Sequence, residues 1–172
     1  MPSDLNEGYS VRSKSKDENS STTRKDVQIE KAAFSTHVTT LASAQKIVQE
    51  QRLLKNKLTE KKFKGVFFNT TAEDPTVKRQ EEVLKGMRRF MMNHHGVKKD
   101  EDIVMIVLNN NNHVGFQEAL KAGKIFDWRS MYRHRHVIYI NQDELALGDA
   151  KMFRLSSKLE ISDFSPEKHK KR

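Results

Sequence analysis

At 172 residues, with 32% charged and 35% hydrophobic side chains, the chain is long enough for one ordinary domain and too polar for all of it to pack. It has no cysteine, which removes disulfide frameworks, thiolate zinc sites and cysteine nucleophiles together, and no run approaches the roughly 20 apolar residues that a bilayer crossing needs. The opening MPSDLNEGYS has no basic-then-apolar leader pattern, so the expectation is a soluble, intracellular protein; Lys+Arg 32 against Asp+Glu 23 gives +9, which suits either a polyanionic partner or ordinary solubility.

Residues 1–33 are expected to be a disordered tail. The first 31 hold six basic and six acidic side chains, and their scattered apolar residues make no face, so the whole excess of +9 lies in 32–172. From Thr39 to Lys61, Leu41, Ala44, Ile47, Val48, Leu54 and Leu58 follow a three-to-four spacing that predicts an amphipathic helix. Gly65 to Thr71 reads as a short buried strand. Asp74-Pro75 predicts the start of a second helix, with Val83, Leu84, Met87, Phe90, Met91 and His94 as its apolar stripe and Gly96 as its left-handed stop.

Ile103 to Leu108 is an unbroken apolar run between Lys-Asp-Glu-Asp and four asparagines, the pattern of a central strand buried on both faces. A short helix follows from His113 to a stop at Gly123; Ile125, Trp128, Met131 and Tyr132 continue at helical spacing, and Val137 to Ile140 is a further strand. The expected fold is therefore α/β, a mixed sheet flanked by helices over 34–142. Residues 143–172 are expected to form a short C-terminal segment with a basic end, too small for a second core.

Seven histidines invite a metal or nuclease reading. His134 and His136 could place two imidazoles on one strand face, but no tyrosine follows that strand as a nucleophile, and a basic strand edge is the simpler reading. His94 and His95 suit the negative end of a helix dipole. The run Asn109 to Asn112 is either a turn or, with His113 and the free N–H groups of the next helix, a cradle for phosphate. No P-loop, paired-glycine fingerprint or G-x-S-x-G occurs, and the expected strands carry no acid, so no catalytic residue, metal or cofactor is expected.

The stretch Val83-Leu84-Lys85-Gly86-Met87-Arg88-Arg89-Phe90-Met91-Met92-Asn93, then Ile103 to Leu108 running into Asn109-Asn110-Asn111, resembles the jaw helix and following strand of the fifth small subunit shared by nuclear RNA polymerases. Val66-Phe67-Phe68-Asn69 with Pro75, and Arg154-Leu155-Ser156-Ser157, extend the resemblance over about 39–157. The family's Thr-Pro-x-Ala helix start is replaced here by His113-Val114-Gly115-Phe116, its Leu-Val-Pro-x-His core is missing, and its C-terminal assembly domain has no counterpart. What the resemblance implies is a non-catalytic jaw of restriction-endonuclease-like topology without catalytic acids. It would be a nuclear subunit docked on the large polymerase subunits, especially the largest, with downstream duplex DNA as its other partner and no membrane or small-molecule substrate. Asn111, Asn112, His113, Arg129, Arg133 and Arg135 are the candidate DNA contacts. The alternative is a free-standing basic nucleic-acid-binding or nucleocapsid-type viral protein, in the cytoplasmic factory or the virion.

Overall fold

The computed structural model describes residues 32–55, 65–128 and 136–165. In chain order the elements are β1 (Phe34–Thr39), α1 (Leu41–Glu50), β2 (Arg52–Leu54), β3 (Val66–Thr71), α2 (Glu81–His95), β4 (Ile103–Asn109), α3 (Val114–Lys121), β5 (Ile125–Trp128), β6 (Val137–Ile140), β7 (Glu144–Ala146), β8 (Lys151–Leu155) and β9 (Ile161–Asp163). Seven strands form one sheet in the order β5-β6-β3-β1-β4-β8-β9, and β2 pairs with β7 in a small second one.

Helices do flank a multi-strand sheet, but the sheet is not mixed. Every neighbouring pair in it is antiparallel. An unbroken apolar run such as β4 is usual in parallel strands because it needs cover on both faces. Here the cover comes from helices on both sides of an antiparallel sheet. Val104, Ile106 and Leu108 point into a cluster with Ala44 of α1 and Phe116 and Ala119 of α3, together with Phe68 and Ile138. Ile103, Met105 and Val107 point the other way, against Leu84, Met87 and Met91 of α2.

Three helical expectations are corrected. The helix read over 39–61 is α1, only 41–50: Thr40 caps it by accepting from the Ser43 N–H at 3.1 Å, and Gln51 ends it in the left-handed conformation at φ 60°. The apolar spacing then passes into β2, where Leu53 is buried opposite Leu145; residues 56–61 lie outside the described residues. Asp74-Pro75 opens a turn rather than α2, because the Asp74 carboxylate accepts from both the N–H and the hydroxyl of Thr76. α2 begins at Glu81, with Glu81 and Glu82 in its first turn, His94 and His95 in its last, and Gly96 at φ 67° as its stop. Phe90 is only partly buried and its ring lies against those of His94 and His95, so Met87 and Met91 fill the place under α2 expected of it. Ile125 to Trp128 is a strand paired with β6; Met131 and Tyr132 lie outside the described residues.

Two further parts of the sheet depart from expectation. β1, Phe-Ser-Thr-His-Val-Thr, is too polar to read as a strand, yet it is the middle of the seven. The segment after residue 142 supplies β7, β8 and β9, so the domain does not end there: β8 pairs along β4 from Ile103↔Leu155 to Val107↔Lys151. The tail expectation for 1–31 falls outside the described residues. Ala33 does bond on both sides, its N–H donating to the Thr71 carbonyl and its carbonyl accepting from Asn110.

A polar strand in the middle of a sheet must satisfy its side chains. The Ser35 hydroxyl donates to Asn110 Oδ1 at 2.7 Å, and His37 Nδ1 bonds the Phe67 carbonyl at 2.9 Å. The Thr36 hydroxyl, fully buried, has no partner. Thr36→Val keeps the shape and removes that cost, so it is expected to hold or raise stability by about 1 kcal/mol, whereas Ile106→Ala should lower it by about 2–5 kcal/mol. Urea unfolding of both variants checks the pair.

Desolvation, first, and the nearby His95, last, lower the affinity of His37 for a proton below the usual 6.5, while its bond to Phe67 opposes them. The unfolded chain therefore binds that proton more readily than the folded one. The stability is present above about pH 6.5 and is lost as the pH falls below it. Unfolding free energy is expected to drop between about pH 7 and pH 5, and to drop less in a His37→Leu variant; equal slopes in the two would contradict this account.

Candidate nucleic-acid interface

The pairing registers bring seven strand ends to one edge. Phe34 lies opposite both Thr71 and Asn109, Val137 opposite both Asn69 and Trp128, Lys151 opposite Val107 and Asp163 opposite Phe153. The loop Asn109–His113 leaves the sheet here. β5 ends here at Trp128, and the described C-terminal part ends at Ser165.

The asparagine run divides by role. Asn109 Oδ1 accepts from the Asn111 N–H at 3.0 Å, closing an Asx turn. Asn110 is buried: its Oδ1 accepts from Ser35 and its Nδ2 donates to the Ala32 carbonyl at 3.2 Å. Asn111 and Asn112 are exposed.

His113 does not join them as a phosphate ligand. It is buried and caps α3, its Nδ1 accepting from the Phe116 N–H at 3.0 Å, which leaves Nε2–H to donate to the Leu147 carbonyl, also at 3.0 Å. Both ring nitrogens are used, so the imidazole has nothing to offer a ligand. Glycines make room for it. A Cβ on Gly148 would stand 3.0 Å from His113 Nε2, and one on Gly115 would stand 3.1 Å from its Cε1. Gly148 also sits at φ 58°, where a side chain is strained.

Arg129, Arg133 and Arg135 lie outside the described residues, as does His134. Asp127 and His136, one on each side of that segment in the chain, are tied together. His136 Nε2 meets Asp127 Oδ1 at 3.1 Å and its Nδ1 meets Thr70 Oγ1 at 2.5 Å. A carboxylate only accepts, so Nε2 carries the proton. His136 thus joins β5, β6 and β3 at this edge, a role different from the paired imidazoles considered for it. Among the described residues no group of three or more His, Asp or Glu is placed to hold a metal ion.

Charge separates the framework from what it carries. The described residues hold fifteen Lys and Arg against fifteen Asp and Glu, and are neutral. Residues 1–31 are neutral as well. The entire +9 therefore resides in residues 56–64, 129–135 and 166–172, at +3 each. Two of these three segments attach at the Asn109 edge of the sheet, and 56–64 attaches at the opposite edge, before β3.

On the α2 face of the sheet, Phe67 of β3, Tyr139 of β6 and Phe126 of β5 stand at directly opposed positions. Ring centroids are 5.3 Å apart for Phe67 and Tyr139 and 5.5 Å for Tyr139 and Phe126, with near-parallel planes. All three are partly buried. The alternation in Val-Ile-Tyr-Ile singles out Tyr139 as facing away from Ile138 and Ile140, but only the register shows that two phenylalanines flank it.

No family model matches the chain, and neither a curated protein nor a solved structure matches it. No described helix is long and apolar enough to cross a membrane.

Replacing His113 by Ala takes the cap from the Phe116 N–H and removes one of the two donors to the Leu147 carbonyl, the other being the Ala150 N–H, and is expected to cost about 2 kcal/mol or more. Gly148→Ala should cost about 1 kcal/mol or more through backbone strain and the displaced ring. Thermal unfolding of the two variants tests both; an unchanged midpoint for His113→Ala would exclude the capping role.

Proposed function

We propose that this is a non-catalytic nucleic-acid-binding protein that holds the phosphate backbone through sequence-independent contacts. The observation that carries the reading is the charge partition. A neutral α/β framework carries its whole positive excess in three short segments, and Arg129, Arg133 and Arg135 make up the whole charge of one of them. Positive charge gathered in this way neutralises phosphates and releases their counterions, which makes binding tight at low salt and weak at high salt. The exposed amides of Asn111 and Asn112 at the same edge of the sheet suit phosphate or sugar oxygens, the contacts that position a strand without reading its sequence.

A second reading is the polymerase jaw that the resemblance implies, with the large polymerase subunits and downstream duplex DNA as partners and the nucleus as location. It is favoured by the order helix, strand, asparagine turn and short helix over α2, β4 and α3, the order the resemblance requires. Two points weigh against it. The sheet is antiparallel throughout, and β8 and β9 complete it from the chain's own C-terminal part. The free-standing protein is therefore the preferred form. A pull-down separates the two, since a jaw subunit returns large polymerase subunits and a free-standing protein does not.

The backbone-contact reading is tested by measuring affinity for a nucleic acid against salt for the parent and for Arg129→Ala combined with Arg133→Ala. Binding should weaken without any change in sequence preference, and the salt slope should fall by about one for each phosphate left unneutralised by the substitutions. Identical slopes would remove the 129–135 segment from the interface.

A further inference from the structure

We infer that His37 latches a fork in the main sheet, and that protonating it opens the sheet locally between β1 and β3 while the ladders on either side stay closed. The fork is written in the pairing. β1 and β3 share three rungs, from Phe34↔Thr71 to Thr36↔Asn69, and part there. Beyond that point β1 runs on along β4 to Thr39↔Val104, and β3 runs on along β6 to Val66↔Ile140. Continued by two residues, the register would set Val38 opposite Phe67. Instead the Phe67 carbonyl accepts from the His37 ring at 2.9 Å. A side chain thus stands in for a backbone rung. The last true rung is weakened as well, because the fully buried Thr36 hydroxyl has no partner.

The two cores treat the fork differently. On the α1 and α3 face, Phe68 and Ile138 share a cluster with Ile106, so the halves of the sheet are joined across it. On the α2 face the cluster takes residues from β1, β4, β8 and β9 but none from β3, β5 or β6. The sheet can therefore open toward α2 about a spine that stays packed. A carbonyl only accepts, so Nδ1 carries the proton of the neutral ring. A second proton goes to Nε2, which bonds no described residue. Nothing described offers the resulting imidazolium a counter-charge. Its ring lies 5.7 Å from that of Phe68 on β3, apolar Ile106 of β4 stands directly opposite, and the titratable group of α2 that acts on it is His95, a second base. Burial already lowers the proton affinity of the ring; the Phe67 bond opposes this and His95 adds to it. A buried charge in that setting is relieved by admitting water, and a three-rung ladder is the weakest place to admit it.

The test is amide hydrogen exchange on the full chain, followed by NMR between about pH 7.5 and about pH 5 and corrected for the intrinsic dependence of exchange on pH. Protection of the Val38 and Phe67 amides should fall by up to roughly tenfold per pH unit once the open form holds the proton and the closed form does not. Amides of β6 and β8 should keep theirs over the same range. His37→Gln retains a donor for the Phe67 carbonyl but does not titrate, so in that variant the fall should vanish. Should His37→Gln fail to fold, the ring C–H resonances of His37 in the parent decide instead, since their titration must coincide with the loss of protection. Protection at Val38 and Phe67 that is independent of pH overturns the inference. So does an equal loss in β6 and β8, which would mean global unfolding, and so does the same fall in a folded His37→Gln variant or a ring titration that does not coincide with it.

Discussion

The structure depends on β4 being dry on both faces. Its six apolar residues alternate between two cores, and each core requires its own helices: α1 and α3 on one side, α2 on the other. Burying a full side chain stabilises by roughly 1.5–3 kcal/mol, so a strand that buries six links the two halves of the molecule more firmly than any surface pairing does. β1 and β8, its neighbours, are held in register by this strand along most of their lengths.

Beside it lies a strand of opposite character. β1 brings Ser35, Thr36, His37 and Thr39 into the centre of the sheet, and β3 adds Asn69, Thr70 and Thr71. Such groups are tolerated where each finds a partner, and the partners come from distant segments: Asn110 for Ser35, the Phe67 carbonyl for His37, and His136 for Thr70. Most of these contacts gather at the edge where the Asn109–His113 loop leaves the sheet. The asparagine run and His113 serve this edge in part as structure. Asn110 and His113 hold the turn closed, while Asn111 and Asn112 are exposed.

Charge in this protein divides between a neutral framework and three short segments. Among the described residues, the arginine on the central part of α2, Arg88, is buried and donates to the Leu155 and Lys99 carbonyls, while Arg154 pairs with Asp102. Burial also holds the Arg88 guanidinium below its ordinary proton affinity, against the pull of Asp102 and Glu101. These cations serve the fold. The excess positive charge is carried by three short segments outside the described residues.

The sequence alone determined the features whose cause is local. The Ile103–Leu108 run had to be a strand covered on both sides, Gly96 had to end a helix, and the stretch after Asn112 had to be a short helix stopping near Gly123, because apolar runs, helical spacing and left-handed glycines act over a few residues. The surplus of charge was legible because it is a sum over residues. Only the tertiary structure decided the rest. β1 is a strand because β3 and β4 supply the pairing that its polar side chains cannot announce; Ile125 to Trp128 is extended because β6 lies beside it; β8 and β9 belong to the domain because β4 has a free edge to receive them. His113 became a cap once Leu147, 34 residues further on, was brought to its second nitrogen. The aromatic row exists only in the register that sets Phe67 and Phe126 on either side of Tyr139. Long-range pairing is invisible in a single sequence because what it satisfies, a hydrogen bond or a ring contact, is written half in one segment and half in another.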